Sequence, residues 1–465
     1  MELRNIMKTI LISMTVSITA GSLLATLATA QTPRYTVTDL GTLGGTVGSA
    51  NGINFEGRVA GAANLANGNS RAFLSGPGVM YDIGTLGGPN SSEGGLNASS
   101  QMAVFAENSK TDPMSENFCG FGTSNICLAA IWSGTMTALP TLGGNNSLAY
   151  AINNQGQVAG VAETTAKDPT CVAPQVFQFE AALWGPGGQV QELPPLPGDT
   201  VGAAMWLNNY GQAVGSSGTC ASGGVAPTFD GAHAVLWQNG LPTNLGNMGG
   251  AMVTLGQSIN DLGEVVGCAD LAGEVPGFPF IQLHAFSWTQ AAGMQDLGTV
   301  GTDFTSFPFG INNSGQAVGA SCDDMGNCRA FLWQNKTMVD LNALVPANSP
   351  LYLAFAFVIN DAGEIAGQAM NKSTGALHAF VATPIPGAAA AKFEPASPDL
   401  SRPMVLPESV REQLRQRLGF GRFGALRLSM ASRLCKILYG VGRLTIGRRL
   451  TTCPTKAPHP HHCRH

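Results

Sequence analysis

The chain has 465 residues, of which 60 are glycine and only 11% are charged. Low charge and frequent glycine favour short strands joined by turns. Residues 31–383 hold 8 Lys and Arg against 24 Asp and Glu, whereas residues 384–465 hold 14 against 4. An acidic body with a basic tail argues against nucleic acid as a partner of the body.

Residues 1–30 have the pattern of a secretory signal. Arg4 and Lys8 form a positive segment, residues 10–27 are apolar, and Ala28-Thr29-Ala30 is an A-x-A cleavage site that leaves Gln31 first. The alternative is a short membrane anchor. We therefore expect an exported protein, extracellular or in the cell envelope, in which an even set of 10 cysteines permits disulfides.

Three short motifs recur with a period of roughly 40–55 residues, which indicates a repeat fold. They are [HR]-A-F-L-W, D-L-G and I-N-x-x-G. The last gives the register, and its seven asparagines are Asn54, Asn97, Asn153, Asn208, Asn260, Asn312 and Asn360.

The I-N-x-x-G motif predicts a tight turn between two strands. An Asn or Asp side chain accepts backbone N–H bonds at the start of such a turn, and Gly takes the position with positive φ. Asn97 is the one copy without this Gly. The alternative is that the asparagines bind a ligand. The predicted turn residues are Asn54, Asn153, Asn208, Asn260, Asn312 and Asn360 with Gly57, Gly156, Gly211, Gly263, Gly315 and Gly363.

The H-A-F-L-W motif starts at Arg71, His233, His284, Arg329 and His378, with weaker copies at Leu128 and Glu180. A metal-binding or catalytic role for these histidines would need a partner His or carboxylate at fixed spacing. The sequence offers no evident partner, so we expect a polar group at a blade edge.

The D-L-G motif has an acidic first residue in five of its seven copies. A carboxylate ring that binds a cation is the weaker alternative, because two copies lack the acid. We predict no catalytic, cofactor-binding or metal-binding residues. The seven positions are Asp39, Asp82, Ala138, Glu192, Asn244, Asp296 and Asp340.

Counting the strands predicts the fold. Each unit holds four short strands, but the first unit, 35–61, lacks the H-A-F strand, and the last H-A-F strand, 378–381, has no unit after it. A seven-bladed β-propeller of four-stranded blades, closed by the C-terminal H-A-F strand pairing with the N-terminal repeat, explains both facts. An open β-solenoid is the alternative.

Together the motifs resemble the bacterial extracellular HAF repeat family. Ala-Phe at 72–73, 285–286, 330–331 and 379–380 carries the match, with D-L-G-T-L-G-G and I-N-x-x-G-Q-x-V-G, over about residues 35–383. The resemblance implies an exported repeat protein and no settled activity. Members often end in a Pro-Glu-Pro sorting segment, of which 393–395 is a fragment.

Strand parity assigns the long insertions to one face. They fall at about 109–126, 164–178, 217–231, 269–282 and 321–327, and insertions on one face of a repeat array mark the binding face. The cysteines lie there too. We predict disulfides among Cys119, Cys127, Cys322 and Cys328. Cys171, Cys220 and Cys268 leave one thiol unpaired or paired with the tail.

The end of the chain has a different composition. Residues 384–407 form a Pro/Ala linker, and 408–465 a basic tail with Val410, Leu414 and Leu418 at helical spacing. The segment is a poorly ordered appendage or an amphipathic helix in peripheral contact with an anionic membrane.

Two functions fit these observations. The first is a monomeric, non-enzymatic module that binds a glycan or protein ligand at the insertion-bearing face. The alternative is a propeller enzyme acting on polysaccharide, with Glu192, Asp296, Asp323 and Asp324 as candidate carboxylates.

Overall fold

A computed structural model of the protein describes residues 34–76, 79–171, 173–220, 232–273, 282–386 and 402–418. The protein is all-β, with 28 strands and two short helices in these ranges. The predicted signal segment, with its cleavage site at Ala30 and Gln31, and tail residues 419–465 lie outside the described residues. Within the described ranges, no helix is both long and apolar enough to cross a membrane.

The elements of the repeat region follow one another through short connections. In chain order the strands are β1 (Tyr35–Gly41), β2 (Gly44–Ile53), β3 (Val59–Leu65), β4 (Ser70–Gly76), β5 (Val79–Asp82), β6 (Gly87–Leu96), β7 (Met102–Thr111), β8 (Asn125–Trp132), β9 (Met136–Ala138), β10 (Gly143–Ile152), β11 (Val158–Lys167), β12 (Phe177–Trp184), β13 (Val190–Leu193), β14 (Val201–Leu207), β15 (Ala213–Gly218), β16 (His233–Gln238), β17 (Leu241–Asn244), β18 (Gly249–Ile259), β19 (Val265–Leu271), β20 (Leu283–Thr289), β21 (Gly293–Gly298), β22 (Thr305–Ile311), β23 (Ala317–Cys322), β24 (Cys328–Gln334), β25 (Thr337–Asp340), β26 (Leu351–Ile359), β27 (Ile365–Asn371) and β28 (Leu377–Pro384). A 3-10 helix spans Leu341–Leu344, and helix α1 spans Glu408–Leu418.

Most strands pair antiparallel with the next strand of the chain, and one parallel pair, Val47 with Leu377, joins β2 to β28. Five sheets have four strands each: β6–β9, β10–β13, β14–β17, β18–β21 and β22–β25. The other eight strands share one sheet, in which β1 pairs with β28 and β26–β28 precede β2–β5. Strand β1 runs antiparallel to β28, from Tyr35 opposite Pro384 to Gly41 opposite Ala379. The first strand of the repeat region is therefore hydrogen-bonded to the last.

The boundary between sheets differs from the predicted boundary between units. Each four-stranded sheet starts with the strand that ends in I-N or its equivalent, and the V-V-G, H-A-F-L-W and D-L-G strands follow, as β18–β21 illustrate. The predicted unit starts at the H-A-F-L-W strand, which is the third strand of a sheet. The predicted boundary is therefore wrong by two strands, and each predicted unit spans two sheets. For the same reason the first unit, 35–61, is divided: β1 pairs with β28, whereas β2 and β3 pair with each other and then β4.

Apolar side chains of neighbouring sheets pack against each other. Val214 and Leu236 of one sheet, for example, meet Ile259 and Phe286 of the next in one buried cluster. The V-V-G glycine makes this packing close. A Cβ on Gly267 would lie 2.0 Å from the Leu255 carbonyl oxygen and 2.5 Å from the Phe286 ring. The glycine thus leaves the space that the phenylalanine of the H-A-F motif fills.

The asparagine turns have the geometry of side-chain-capped hairpins. The Asn260 Oδ1 atom accepts the backbone N–H groups of Leu262 (3.0 Å) and Glu264 (2.9 Å), and Gly263 has φ +78°. In the copy that lacks glycine, Ser100 takes the same left-handed conformation at φ 59°. The turn survives there with a strained residue.

The other half of each asparagine amide joins one turn to the next. Six Nδ2 groups donate to the carbonyl oxygen of the asparagine in the neighbouring turn at 3.0–3.1 Å: Asn97 to Asn153, Asn153 to Asn208, Asn208 to Asn260, Asn260 to Asn312, Asn312 to Asn360, and Asn360 to Asn54. We call this series the amide ladder. Its last bond joins turns that are 306 residues apart.

Helix α1 packs on the repeat region. Leu406, Val410 and Leu414 are buried in one cluster with Tyr352 and Phe355. The Leu406 N–H also donates to Asn327 Oδ1 at 2.9 Å. The apolar side of the helix is thus covered by protein in this structure, so its described part is no free appendage.

Candidate functional site

The described parts of the long loops between the second and third strands of the sheets lie on one face, which we call the insertion face. Disulfides are present there, as predicted. Cys119–Cys127 and Cys322–Cys328 each brace one loop, and Cys171–Cys220 joins the loops of two neighbouring sheets. Cys268 is a buried free thiol. The one His, Cys and carboxylate cluster of metal-binding size found among the described residues is Asp168, Cys171 and Cys220, whose sulfurs are already bonded to each other.

A cavity of about 210 Å³ opens on this face between the β14–β17 and β18–β21 sheets. Its polar lining consists of His233, Asn244, Asn247, Thr254 and the buried Asp270. Asn244 and Asn247 are exposed and cap their own loop through Oδ1, which accepts the N–H of Gly246 (2.8 Å) and Gly249 (2.9 Å). Their Nδ2 groups thus remain available to a ligand.

A carboxylate orients His233 at this cavity. The His233 Nδ1 atom lies 3.1 Å from Asp199 Oδ2, which also accepts a 2.6 Å bond from the Ser217 hydroxyl. The Asp199 side chain is 8% exposed, whereas the His233 side chain is 43% exposed. With a proton on Nδ1 for the carboxylate, Nε2 is the nitrogen that can accept a hydrogen bond from a ligand.

The cavity wall is held rigid by backbone contacts. Asp270 accepts the N–H groups of Met252 and Val253, both at 2.9 Å, with its two oxygens. The Thr254 hydroxyl accepts the Ala234 N–H at 2.9 Å and so links the two sheets. A Cβ at position 250 would lie 2.3 Å from the Asp270 carboxyl, so this site requires glycine.

The H-A-F and D-L-G positions face each other across the third and fourth strands. Four of these pairs combine a base with an acid, two of them within the eight-stranded sheet: Arg71 with Asp82 (3.5 Å), His284 with Asp296 (3.0 Å), Arg329 with Asp340 (3.4 Å) and His378 with Asp39 (2.9 Å). The expectation that these positions have no partner at fixed spacing is wrong. Three of the pairs are 11 or 12 residues apart. Because these acids pair with bases, they form no cation-binding ring.

Arg329 is the most buried of these bases. Its guanidinium binds both oxygens of Asp303 at 2.9 Å and also the Val300 carbonyl at 3.0 Å. All three charged side chains of this group are at most 4% exposed. Because separating buried charges costs free energy, this group of ion pairs holds its strand and the neighbouring loop in one arrangement.

The equivalent pair in the β10–β13 sheet consists of two carboxylates, Glu180 and Glu192. Glu180 is 3% exposed, whereas Glu192 lies at the surface. Burial and the neighbouring charge of Glu192 raise the pKa of Glu180 to about 8.

A second carboxylate group is buried beneath the braced loops. Gln175 Nε2 donates to both Glu116 (3.3 Å) and Glu163 (2.9 Å), and neither carboxylate is exposed. Burial and the charge of Glu116 raise the pKa of Glu163 to about 8. Glu163 also accepts the backbone N–H of Asn146 at 3.0 Å within its own sheet. Glu116, from the loop between β7 and β8, accepts the Phe177 N–H at 3.0 Å and so ties two neighbouring sheets together.

The four carboxylates proposed for catalysis are not brought together. Glu192 faces Glu180, and Asp296 binds His284. Asp323 accepts the N–H groups of Met325 (3.0 Å) and Asn327 (2.8 Å) within its own loop, and Asp324 is exposed beside it. Sequence reasoning missed His233 with Asp199, although a proline-rich loop that ends in Asp just before a strand was visible.

No family model and no curated protein matches the sequence. Among solved structures, the chain is similar to the β-propeller domain of the Trilobed protease from Pyrococcus furiosus, with TM-score 0.43 and 7% identity over 78% of this chain and 100% of that one. It is also similar to TolB from Acinetobacter baumannii (TM-score 0.37, 10% identity, 71% and 64% covered). It is similar as well to an oligogalacturonate lyase in complex with manganese, with TM-score 0.43 and 11% identity over 76% of this chain and 94% of that one. The likeness concerns the β-propeller fold alone.

Proposed function

We propose that the protein is an exported, non-enzymatic binding module of the HAF repeat type that recognises a glycan at the insertion face. The oriented His233 beside the cavity carries this proposal. An imidazole Nε2 and two asparagine amides are groups that hydrogen-bond sugar hydroxyls, and the 210 Å³ cavity has room for about one small polar unit. Three disulfides support an oxidising, exported location.

The enzymatic alternative has less support. Glycoside cleavage needs two carboxyls about 5–10 Å apart in one pocket. Asp270 is the one carboxylate among the residues that line this cavity, and both its oxygens accept backbone N–H groups. Binding is therefore the function that this geometry favours.

A glycan array and titration calorimetry with the purified chain test the binding function. We expect a saturable glycan ligand, and at least a tenfold loss of affinity for His233→Ala. His284→Ala is the matched control, since His284 occupies the same strand position in the next sheet but lies outside the cavity lining. An array with no saturable ligand, or binding that survives His233→Ala, would contradict the proposal.

For the fold we propose seven four-stranded blades in a closed ring, with β1 as the fourth strand of the blade formed by β26–β28. The β1–β28 pairing and the amide-ladder bond from Asn360 to Asn54 support closure. A chain that ends at Gly375 loses β28 and leaves Phe380 out of the core. Compared with a chain that ends at Pro386, it should melt at a much lower temperature and aggregate. Both chains lack helix α1, so equal melting would refute closure.

A further inference from the structure

The pair Glu180 and Glu192 differs in charge from the equivalent pairs of the other sheets. The seven pairs are Arg71–Asp82, Leu128–Ala138, Glu180–Glu192, His233–Asn244, His284–Asp296, Arg329–Asp340 and His378–Asp39. Four combine a base with an acid, and two include no acid. Only the pair in the β10–β13 sheet sets two carboxylates against each other without a base. The positive charge found at this position in other sheets is absent from the β10–β13 sheet.

The backbone at this pair is the same as in the base–acid pairs. Ala182, two residues after Glu180, lies opposite Glu192, just as Phe331, two residues after Arg329, lies opposite Asp340. Residues two apart in a strand share a face, so the two glutamates are diagonal neighbours on one face of the sheet.

Glu180 is buried without full compensation. Its Oε1 accepts a 2.9 Å bond from Gln178 Nε2, but Oε2 is buried without a hydrogen-bond partner among the described residues. Within the described chain, no Lys, Arg or His forms an ion pair with either glutamate. An unpaired, buried carboxylate oxygen is costly, so an external positive charge would stabilise this site.

We propose that Glu180 and Glu192 bind a divalent metal cation, with Ca²⁺ as the ion that fits the donors. Carboxylate and carbonyl oxygens select hard cations, and one divalent ion that displaces the proton of Glu180 balances the charges of both carboxylates. Gln178 Nε2 donates to both Glu180 Oε1 (2.9 Å) and the Thr200 carbonyl (2.5 Å), which places that neutral carbonyl oxygen near the pair. Glu192 is at the surface, so the ion enters from solvent.

Calorimetric titration of the full chain with Ca²⁺, after treatment with EDTA, tests this site. We expect one ion per chain, with a Kd of about 10⁻⁴–10⁻³ M as in extracellular calcium modules. The melting temperature should rise with Ca²⁺ concentration, since the ion binds the folded state.

Two variants and one control make the test specific. Glu180→His recreates the His–acid pair of the other sheets, so the chain should fold as well without Ca²⁺ and lose its response to the ion. Glu192→Gln should weaken binding at least tenfold. Asp324→Asn, which removes an exposed carboxylate of another loop, should leave binding unchanged.

The opposite results would overturn the site. If Ca²⁺, Mg²⁺ and Mn²⁺ all fail to bind, no ion balances the pair. If Glu180→His keeps the response or Asp324→Asn removes it, the ion binds elsewhere. His233→Ala should keep the Ca²⁺ response, so the test is independent of glycan binding.

Discussion

The two faces of the repeat region follow different rules. On the face of the asparagine turns, the described turns repeat nearly the same hydrogen bonds, and the amide ladder joins six neighbouring pairs at 3.0–3.1 Å. On the insertion face, each loop has its own length, and the equivalent cross-strand pair ranges from Arg329–Asp340 to Glu180–Glu192. The repeats therefore keep one hydrogen-bonding pattern on the face of the asparagine turns, whereas on the insertion face the loops and the cross-strand pairs differ from sheet to sheet.

The largest effect on the free energy of unfolding is expected at the buried cross-strand pair Arg329–Asp340 of the insertion face. Arg329→Met leaves Asp303 and Asp340 buried without their cation, and should lower the free energy of unfolding by about 3–5 kcal/mol. Urea denaturation measures this. The matched variant Arg71→Met breaks a more exposed pair and should cost about 1 kcal/mol or less. Equal losses in the two variants would show that burial does not distinguish these pairs.

A smaller loss of unfolding free energy is expected where helix α1 covers the insertion face. Leu414→Ala removes a fully buried side chain from the contact between helix α1 and the repeat region. It should cost about 2 kcal/mol, near the lower end for such truncations, because the helix can shift. The exposed neighbour Gln413 provides the control, Gln413→Ala. If the melting temperatures of both variants equal that of the parent, the helix does not dock in solution.

The buried carboxylate Glu163 predicts a pH dependence of stability that originates on the insertion face. The folded-state pKa of Glu163 is about 8, above its usual 4.5, so its contribution is full below pH 4.5 and is lost as the pH rises towards 8. Unfolding free energy should fall with pH in that window by up to about 1.4 kcal/mol per unit from this group. Glu163→Gln should flatten the slope relative to the parent in urea titrations at pH 5 to 8. An unchanged slope would mean that Glu163 stays ionised when folded.

The smallest effect concerns one step of the amide ladder. Asn260→Asp keeps the Oδ1 atom that caps the turn but removes the Nδ2 group that donates to Asn312. The loss of this one bond should cost about 1 kcal/mol. Asn67→Asp introduces the same charge at an exposed turn outside the ladder and should change stability little. Equal effects on the denaturation midpoint would argue that the ladder bond contributes nothing.

Much of the architecture could be predicted because turns are local. The spacing from Asn260 to Gly263 specifies a capped turn whatever surrounds it. The strand at which each sheet begins was predicted wrongly, because a repeated sequence has no inherent starting point. Hydrogen bonds between strands decide which strands belong to one sheet. The donor role of the asparagines had a signal that was overlooked. Asp caps a turn as well as Asn does, yet every copy is Asn.

The candidate sites depend on contacts that the repeat pattern does not encode. His233 meets Asp199, which belongs to a loop between sheets rather than to any motif. The pairing of Arg71 with Asp82 was within reach, since the same interval recurs at Arg329 and Asp340. The docking of helix α1 could not be predicted in this way. Helical spacing shows that one side of the helix is apolar, but it does not show which part of the protein covers that side.

The amide ladder runs in one direction and joins turns that are far apart in the sequence as well as consecutive ones. Six of the seven amides donate a hydrogen bond to the carbonyl of the turn that follows, and the bond from Asn360 to Asn54 is as short, at 3.0 Å, as the bond from Asn260 to Asn312. The odd step lies inside the chain, where the Asn54 amide turns to the Ser100 hydroxyl at 3.4 Å beside the missing glycine. On this face the irregular step therefore lies at the turn that lacks its glycine, whereas the bond between the Asn360 and Asn54 turns, 306 residues apart, is as regular as those between consecutive turns.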